Sequence, residues 1–372
     1  MAIIFSYLDF ENVLAARVVN TEWNKLITGF SQAGIVGVEN KPCHIIDTRG
    51  WVISKEIDFK KLKLEDLTPT TIPSFTFYCL MGCVRNLPQE YWPYLQKASV
   101  HTINLRDNQI GAHGAVEFAH ALQGTHVHTV NLGINEIGAR GAIAFAKHLQ
   151  GTCVHTVHLI YNQIGDQGVE GFAKHLQGTC VHTVYLGENE IGAQGIEAFT
   201  KHLQGTQVHT VDLDTNEIGI QGAEGFARLL QGTNVQKINL SGNQIGAQGA
   251  EALAKQLQGT RVHTVDLSWN RIGDQGAEAL AKHLQGTRVH TVNLSWNQIG
   301  GQGAIEFAKH LQGAQAHTVN LRSNQIGAQG AEGFARLLQG TNVHTVELSE
   351  NQIGPDVQRL LVEQYPHIKW GF

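Results

Sequence analysis

Nine histidines recur at one spacing. His101, His128, His155, His182, His209, His263, His290, His317 and His344 lie on a 27-residue period, with Gln236 in the remaining place. Imidazole binds metals and exchanges protons near neutral pH, so the row invites a metal or acid–base reading. Asp212 and Asp214 alternate on one segment and offer carboxylate oxygens to a cation. Cys79 and Cys83 form a CxxxC pair, and "IGAQGA" resembles a glycine-rich phosphate loop. All four readings weaken on inspection. A reactive site needs one distinctive constellation, and the histidines and the glycine loop are copied many times over. Asp212 and Asp214 read better as a solvated acidic patch. The cysteine pair has no second CxxC or histidine motif nearby to complete a zinc site. No catalytic residue, metal or other cofactor is therefore expected.

What positions these residues is a repeat. Asn108, Asn135, Asn162, Asn189, Asn216, Asn243, Asn270, Asn297, Asn324 and Asn351 mark ten copies of a unit near "VHTVxLxxNQIGAQGAEAFAKHLQGT", without insertion. A period of 20–50 residues signals a solenoid. Within the copy that starts at Val289, Val292 and Leu294 alternate with Thr291, Asn293 and Ser295, the pattern of a strand with one buried face. Asn297 follows where the chain leaves the strand, placed to pair backbone groups and to serve the next turn of the stack. Gly300 and Gly303 permit the turn. Ala304, Phe307, Ala308 and Leu311 then fall at helical spacing, and Gly313 ends the helix. The histidines become teeth of this comb; His148, His175, His202, His283 and His310 recur likewise on the helices.

Composition agrees with a binding protein in a reducing compartment. The chain has 372 residues, 42% of them hydrophobic, with 41 glycines for the many turns. Five scattered cysteines argue against a disulfide framework and for a cytoplasmic setting. The opening "MAIIFSYLDF" lacks the basic region and cleavage site of a secretory signal, and no apolar run reaches a membrane span. A formal net charge of −5 argues against nucleic acid as a partner.

On Val100, Ile103, Leu105, Asn108, Ile110 and their equivalents, the chain resembles the leucine-rich repeat family, and its "NQIG" and "NEIG" corners resemble the ribonuclease-inhibitor subclass. The fold implied is an α/β solenoid of ten 27-residue βα repeats, with the parallel sheet inside and helices outside. "GAEALA" at 249–254 and 276–281 is similar to the motif of the GALA group of bacterial F-box effectors, which implies action in a host cytosol. Residues 3–27, "IIFSYLDFENVLAARVVNTEWNKLI", suit three short helices and resemble an F-box, most specifically in "ARVVNTEWNKLI". Family members open with a Leu-Pro pair before the first helix, which is missing here. The resemblance implies that Phe5, Leu8, Leu14, Val18 and Trp23 dock on the Skp adaptor of a cullin ubiquitin ligase.

The expected organisation is an F-box-like module at 1–30, a linker and irregular cap at 31–99, ten repeats at 100–354 and a C-terminal cap at 355–372. Specificity is expected where the copies differ. The third, fifth, seventh and eighth positions of each copy are read as facing outward from the strand. There Asp107, Glu188, Asp212, Asp214, Asp266, Glu347 and Glu350 outnumber Arg106, Lys237 and Arg322. Ile134, Ile160, Tyr161, Tyr185, Trp269 and Trp296 lie among them. Exposed aromatics beside charge are the composition of binding hot spots. The expected target-binding set is Ile134, His158, Tyr161, Tyr185, Glu188, Asp212, Asp214, Asp266, Trp269 and Trp296, for a protein with a basic or mixed surface. The function expected is recruitment of that protein for ubiquitination. The alternative is a stand-alone binding or inhibitory scaffold whose N-terminal helices are a structural cap.

Overall fold

A computed structural model describes residues 102–372 and, as backbone, strands β1 (His44–Ile46), β2 (Val52–Ser54) and β3 (Thr76–Tyr78). Phe5, Leu8, Leu14, Val18, Trp23, Cys79, Cys83 and His101 lie outside the described residues. The chain divides into two units, one of residues 1–162 and 179–181, the other of 163–178 and 182–372.

In the first unit β1 pairs antiparallel with both β2 and β3. The repeats then begin: β4 (Thr102–Asn104), α1 (Gly111–Ala121), β5 (Thr129–Asn131), α2 (Gly138–Lys147) and β6 (Thr156–His158). Thr102 pairs with Thr129 and Thr129 with Thr156, all parallel, so the register equals the sequence period. The second unit continues the alternation through α3 (Gly165–Lys174), β7 (Thr183–Tyr185), α4 (Ala193–His202), β8 (Thr210–Asp212), α5 (Gly219–Leu229), β9 (Lys237–Asn239), α6 (Gly246–Gln256) and β10 (Thr264–Asp266). It ends with α7 (Gly273–Leu284), β11 (Thr291–Asn293), α8 (Gly301–Lys309), β12 (Thr318–Asn320), α9 (Gly327–Leu337), β13 (Thr345–Glu347), α10 (Pro355–Gln364) and β14 (Lys369–Gly371). Pro355 opens α10, where its missing N–H matters least. The tail then lays β14 parallel on β13, Thr345 opposite Lys369.

From β4 to β13 each strand is three residues long, with its central Val or Ile buried and the flanking positions half-buried, apart from the exposed Lys237. Behind the sheet the core is one column of Val and Leu, one of Ile, and one of Phe and Ala from the helices. Leu253 and Leu280, the leucines of the two "GAEALA" copies, fill the fully buried place that Phe226 and Phe307 hold in other copies. That stretch is therefore core packing here.

The asparagines close each turn against its neighbour, in the direction opposite to the one expected. Asn135 Oδ1 accepts the N–H groups of Asn108 and Ile110 in the preceding copy, at 2.9 and 3.3 Å. Its amide donates back to the Leu105 carbonyl at 2.7 Å. The arrangement repeats at Asn243, Asn270 and Asn297. From Asn135 onward the buried asparagines thus serve the turn before them.

The expectation for Gly300 and Gly303 is corrected. In most copies the glycine after Ile is left-handed, as Gly273 is at φ 62°, but Gly300 has φ −85° and is extended. The cause lies one copy earlier, where Asp274 Oδ1 accepts the Gly300 N–H at 2.6 Å. Asp166 does the same for Gly192. Gly303 is inside α8 and makes no turn; a Cβ there would stand 2.7 Å from the Asp274 Cα. It is glycine so that successive helices approach.

Candidate interaction surface

Where a strand ends in asparagine, aspartate or glutamate, its last side chain builds the corner that follows. The residue at the strand's end accepts the N–H two positions on: Asn104 from Arg106, Asp212 from Asp214, Asp266 from Ser268, Asn293 from Ser295. In front of the buried asparagine the eighth position donates its N–H to the next copy, Thr215 to Ser241 and Trp269 to Ser295, and takes up the left-handed region whether or not the strand's last side chain makes that turn. Ile134, Tyr161, Glu188, Thr215, Trp269, Trp296 and Glu350 all have φ between 51° and 59°. The conformation throws these side chains outward. Tyr161, Trp269 and Trp296 are 54%, 56% and 42% exposed.

The seventh position does not always face outward as expected. Ser268 and Ser295 are buried, and the Ser268 hydroxyl bonds to Asp266 Oδ1 at 2.6 Å. Asp266 also accepts the Asn293 amide at 2.7 Å, and Asp212 the Asn239 amide at 2.9 Å. Both aspartates are half-buried and committed to holding adjacent rungs together. Burial is the main reason that Asp212 binds its proton more readily than an ordinary carboxyl. The Asn239 and Asp214 hydrogen bonds oppose that shift, and the nearby Asp214 and Asp266 charges add to it.

Within the first unit, Ile134 and His158 are half-buried and Tyr161 is exposed. His158 is held below the usual imidazole range by burial and then by the Arg106 guanidinium. Within the second unit, Tyr185, Asp212 and Asp266 end their strands, while Glu188, Trp269 and Trp296 stand in the corner row. Trp269 and Trp296 stack at 4.2 Å between ring centroids, 11° from parallel. They sit in an open groove of about 1190 Å³ that also takes in Asp214, Arg271, Gln298 and Glu350. Tyr185, Glu188, Asp212 and Asp266 do not line it. Arg322 ion-pairs with Glu350 at one side, so the groove's charge is mixed.

Sequence reasoning missed Arg271 and the glutamines Gln244, Gln298 and Gln325, which follow the buried asparagines and line the same groove. Arg271 carried a signal, since "NRIG" replaces the usual "NQIG". The histidine row is a stack: His128 and His155 lie 4.9 Å apart, His263 and His290 4.7 Å. Nδ1 of His209 and of His263 lies 3.0 Å from the hydroxyl of the following threonine. Burial, then the adjacent His182 or His290, then Lys237 hold these two imidazoles below the ordinary range. Among the described residues no helix is long and apolar enough to cross a membrane.

Seven stretches of the chain match the Leucine Rich repeat family: residues 96–119, 125–146, 152–173, 233–254, 262–281, 289–308 and 317–335. No curated protein matches the chain in sequence. Solved structures similar to it include the Rad7 and Elc1 complex in yeast, at 11% identity and a TM-score of 0.44, covering 75% of this chain and 77% of that one. Residues 102–372 fold as a leucine-rich-repeat solenoid. Repeats of this kind build binding scaffolds rather than catalytic centres.

Proposed function

We propose that the chain is a recognition adaptor: the groove around Trp269 and Trp296 receives a target protein, and residues 1–30 join that target to a ubiquitin ligase. The carrying observation is the stacked, exposed indole pair in a groove of mixed charge. Large exposed aromatics beside a fixed cation and carboxylates are what binding hot spots are made of. Asp214, Arg271 and Glu350 suit a target segment with a basic or mixed surface. Ile134, His158, Tyr161, Tyr185, Glu188, Asp212 and Asp266 extend the recognition surface beyond the groove. The ligase link rests on the F-box-like spacing of Phe5, Leu8, Leu14, Val18 and Trp23. The proposed partner there is a Skp-type adaptor of a cullin ligase, with a host cytosol as the setting that the GALA resemblance implies.

Two measurements test the two halves. Purified full chain should bind a recombinant Skp-type adaptor, and removal of residues 1–30 should abolish that binding. If the full chain ignores the adaptor, the ligase link falls and the stand-alone scaffold reading takes its place. Target capture should weaken by a few kcal/mol when Trp269 and Trp296 are replaced by serine. Charge reversal at Lys174 and Lys201, both on helices, should leave capture unchanged. The opposite pattern would move recognition to the helical face.

A further inference from the structure

A mixed cluster of carboxylates and imidazole stands on the helices, on elements separate from the groove. Glu278 on α7, Glu306 on α8 and His310 at the end of α8 bring one ligand atom each within 4.8 Å of one another, all three half-buried. It is the only such three-ligand group among the described residues.

The cluster arises where a copy departs from the repeat. Six of the ten described helices carry a glutamate two residues after a buried glycine, and three pair it with a lysine four residues on: Glu170–Lys174, Glu251–Lys255 and Glu278–Lys282. The histidine of the following copy lies close enough to act on that glutamate electrostatically, at Glu170 with His202, Glu251 with His283 and Glu278 with His310. Duplication therefore supplies a Glu–His pair more than once. In the eighth copy Ile305 takes the usual glutamate position and Glu306 follows it. That one-residue shift puts a second carboxylate four residues before His310, on the same helical face.

We propose that Glu278, Glu306 and His310 form a surface site for a divalent transition ion of the zinc class. Two carboxylate oxygens and one imidazole nitrogen suit zinc better than calcium or magnesium, which take oxygen ligands. Bonds of about 2.0–2.1 Å place tetrahedral ligands about 3.3 Å apart. The closure from the present spacing lies within the reach of two flexible glutamates. Lys282 and Lys309 now pair with Glu278 and Glu306. Exposed pairs of this kind contribute little net stability, so an ion displaces them readily. His310 also closes the C-terminal end of α8, where the helix dipole favours a cation.

The test is zinc titration of the full chain at pH 7.5, with cobalt as a spectroscopic stand-in. The wild type should hold one zinc at this site. Glu306→Gln and His310→Gln should each lose that equivalent or weaken it by at least about tenfold, since even outer-shell changes typically cost 10–100-fold. A variant of the stacked row, His263→Gln with His290→Gln, should keep it. Ala279→Glu sets a carboxylate four residues before His283 and beside Glu251, so it should create a second equivalent. The proposal is overturned if Glu306→Gln and His310→Gln bind zinc as the wild type does, if binding disappears with the row variant alone, or if Ala279→Glu adds no ion.

Discussion

The row of side chains that faces outward from the corners is held by strained backbone. Thr215 is exposed and β-branched, yet has φ 51°. The left-handed region costs an ordinary L-residue roughly 1–2 kcal/mol, and asparagine tolerates it far better. Thr215→Asn should therefore stabilise the chain by about 1 kcal/mol, read as a higher midpoint in urea at unchanged slope. A midpoint that stays put or falls would show that the corner carries no strain. The asparagine behind each corner has the opposite value. Asn270 Oδ1 accepts the Asn243 and Ile245 N–H groups at 3.0 and 3.1 Å, and its amide reaches the Leu240, Leu267 and Ser268 carbonyls. Asn270→Ala leaves those buried groups unpaired at about 1–3 kcal/mol each, so a loss of roughly 3–5 kcal/mol is expected. A loss below about 1 kcal/mol would mean that water replaces the amide.

Strands and helices were legible at the level of elements because burial dictates their periods. Val292 and Leu294 had to face one way, and Phe307 and Ala308 had to meet them. The direction of the asparagine bonds was hidden, since the residue type permits service to either neighbour. The left-handed corners were hidden too, because no local preference of Trp or Ile predicts them; long-range amide bonds impose them. The groove was half legible: the tryptophans announced themselves by varying, whereas the glutamines beside them looked like mere consensus. Asp166 and Asp274 were legible as changes but not as causes. Each draws the next copy's glycine N–H onto its carboxylate and so removes the left-handed turn there. This yields a paired prediction. Gly219 has φ 62° with open space around it, whereas Gly192 is extended at φ −95°. Gly219→Ala should destabilise by about 1 kcal/mol, and Gly192→Ala should be neutral or slightly stabilising. Equal losses in thermal melts would remove the distinction between the two kinds of corner.

Proton linkage acts on the whole molecule because histidines of one kind are spread along it. His148, His158, His202, His209 and His263 are all held below the ordinary imidazole value, each by burial first. Neighbouring cations reinforce this: His120 for His148, Arg106 for His158, Lys174 for His202, and Lys237 for His209 and His263. Only at His202 does a nearby carboxylate, Glu170, pull the other way. A folded state that binds protons less readily than the unfolded chain is favoured above the unfolded value, about 6.5, and loses that advantage as pH falls below it. Asp212 is shifted upward, so its contribution runs oppositely, improving stability as pH falls through the carboxyl range rather than the histidine range. The melting temperature should accordingly drop between pH 7.5 and pH 5.5. Replacing His209 and His263 with asparagine should flatten that drop, because it removes two of the five groups while leaving their neighbours. A melting temperature indifferent to pH across this window, or a double variant as sensitive as the parent, would show that the row takes up its protons without opposing the fold.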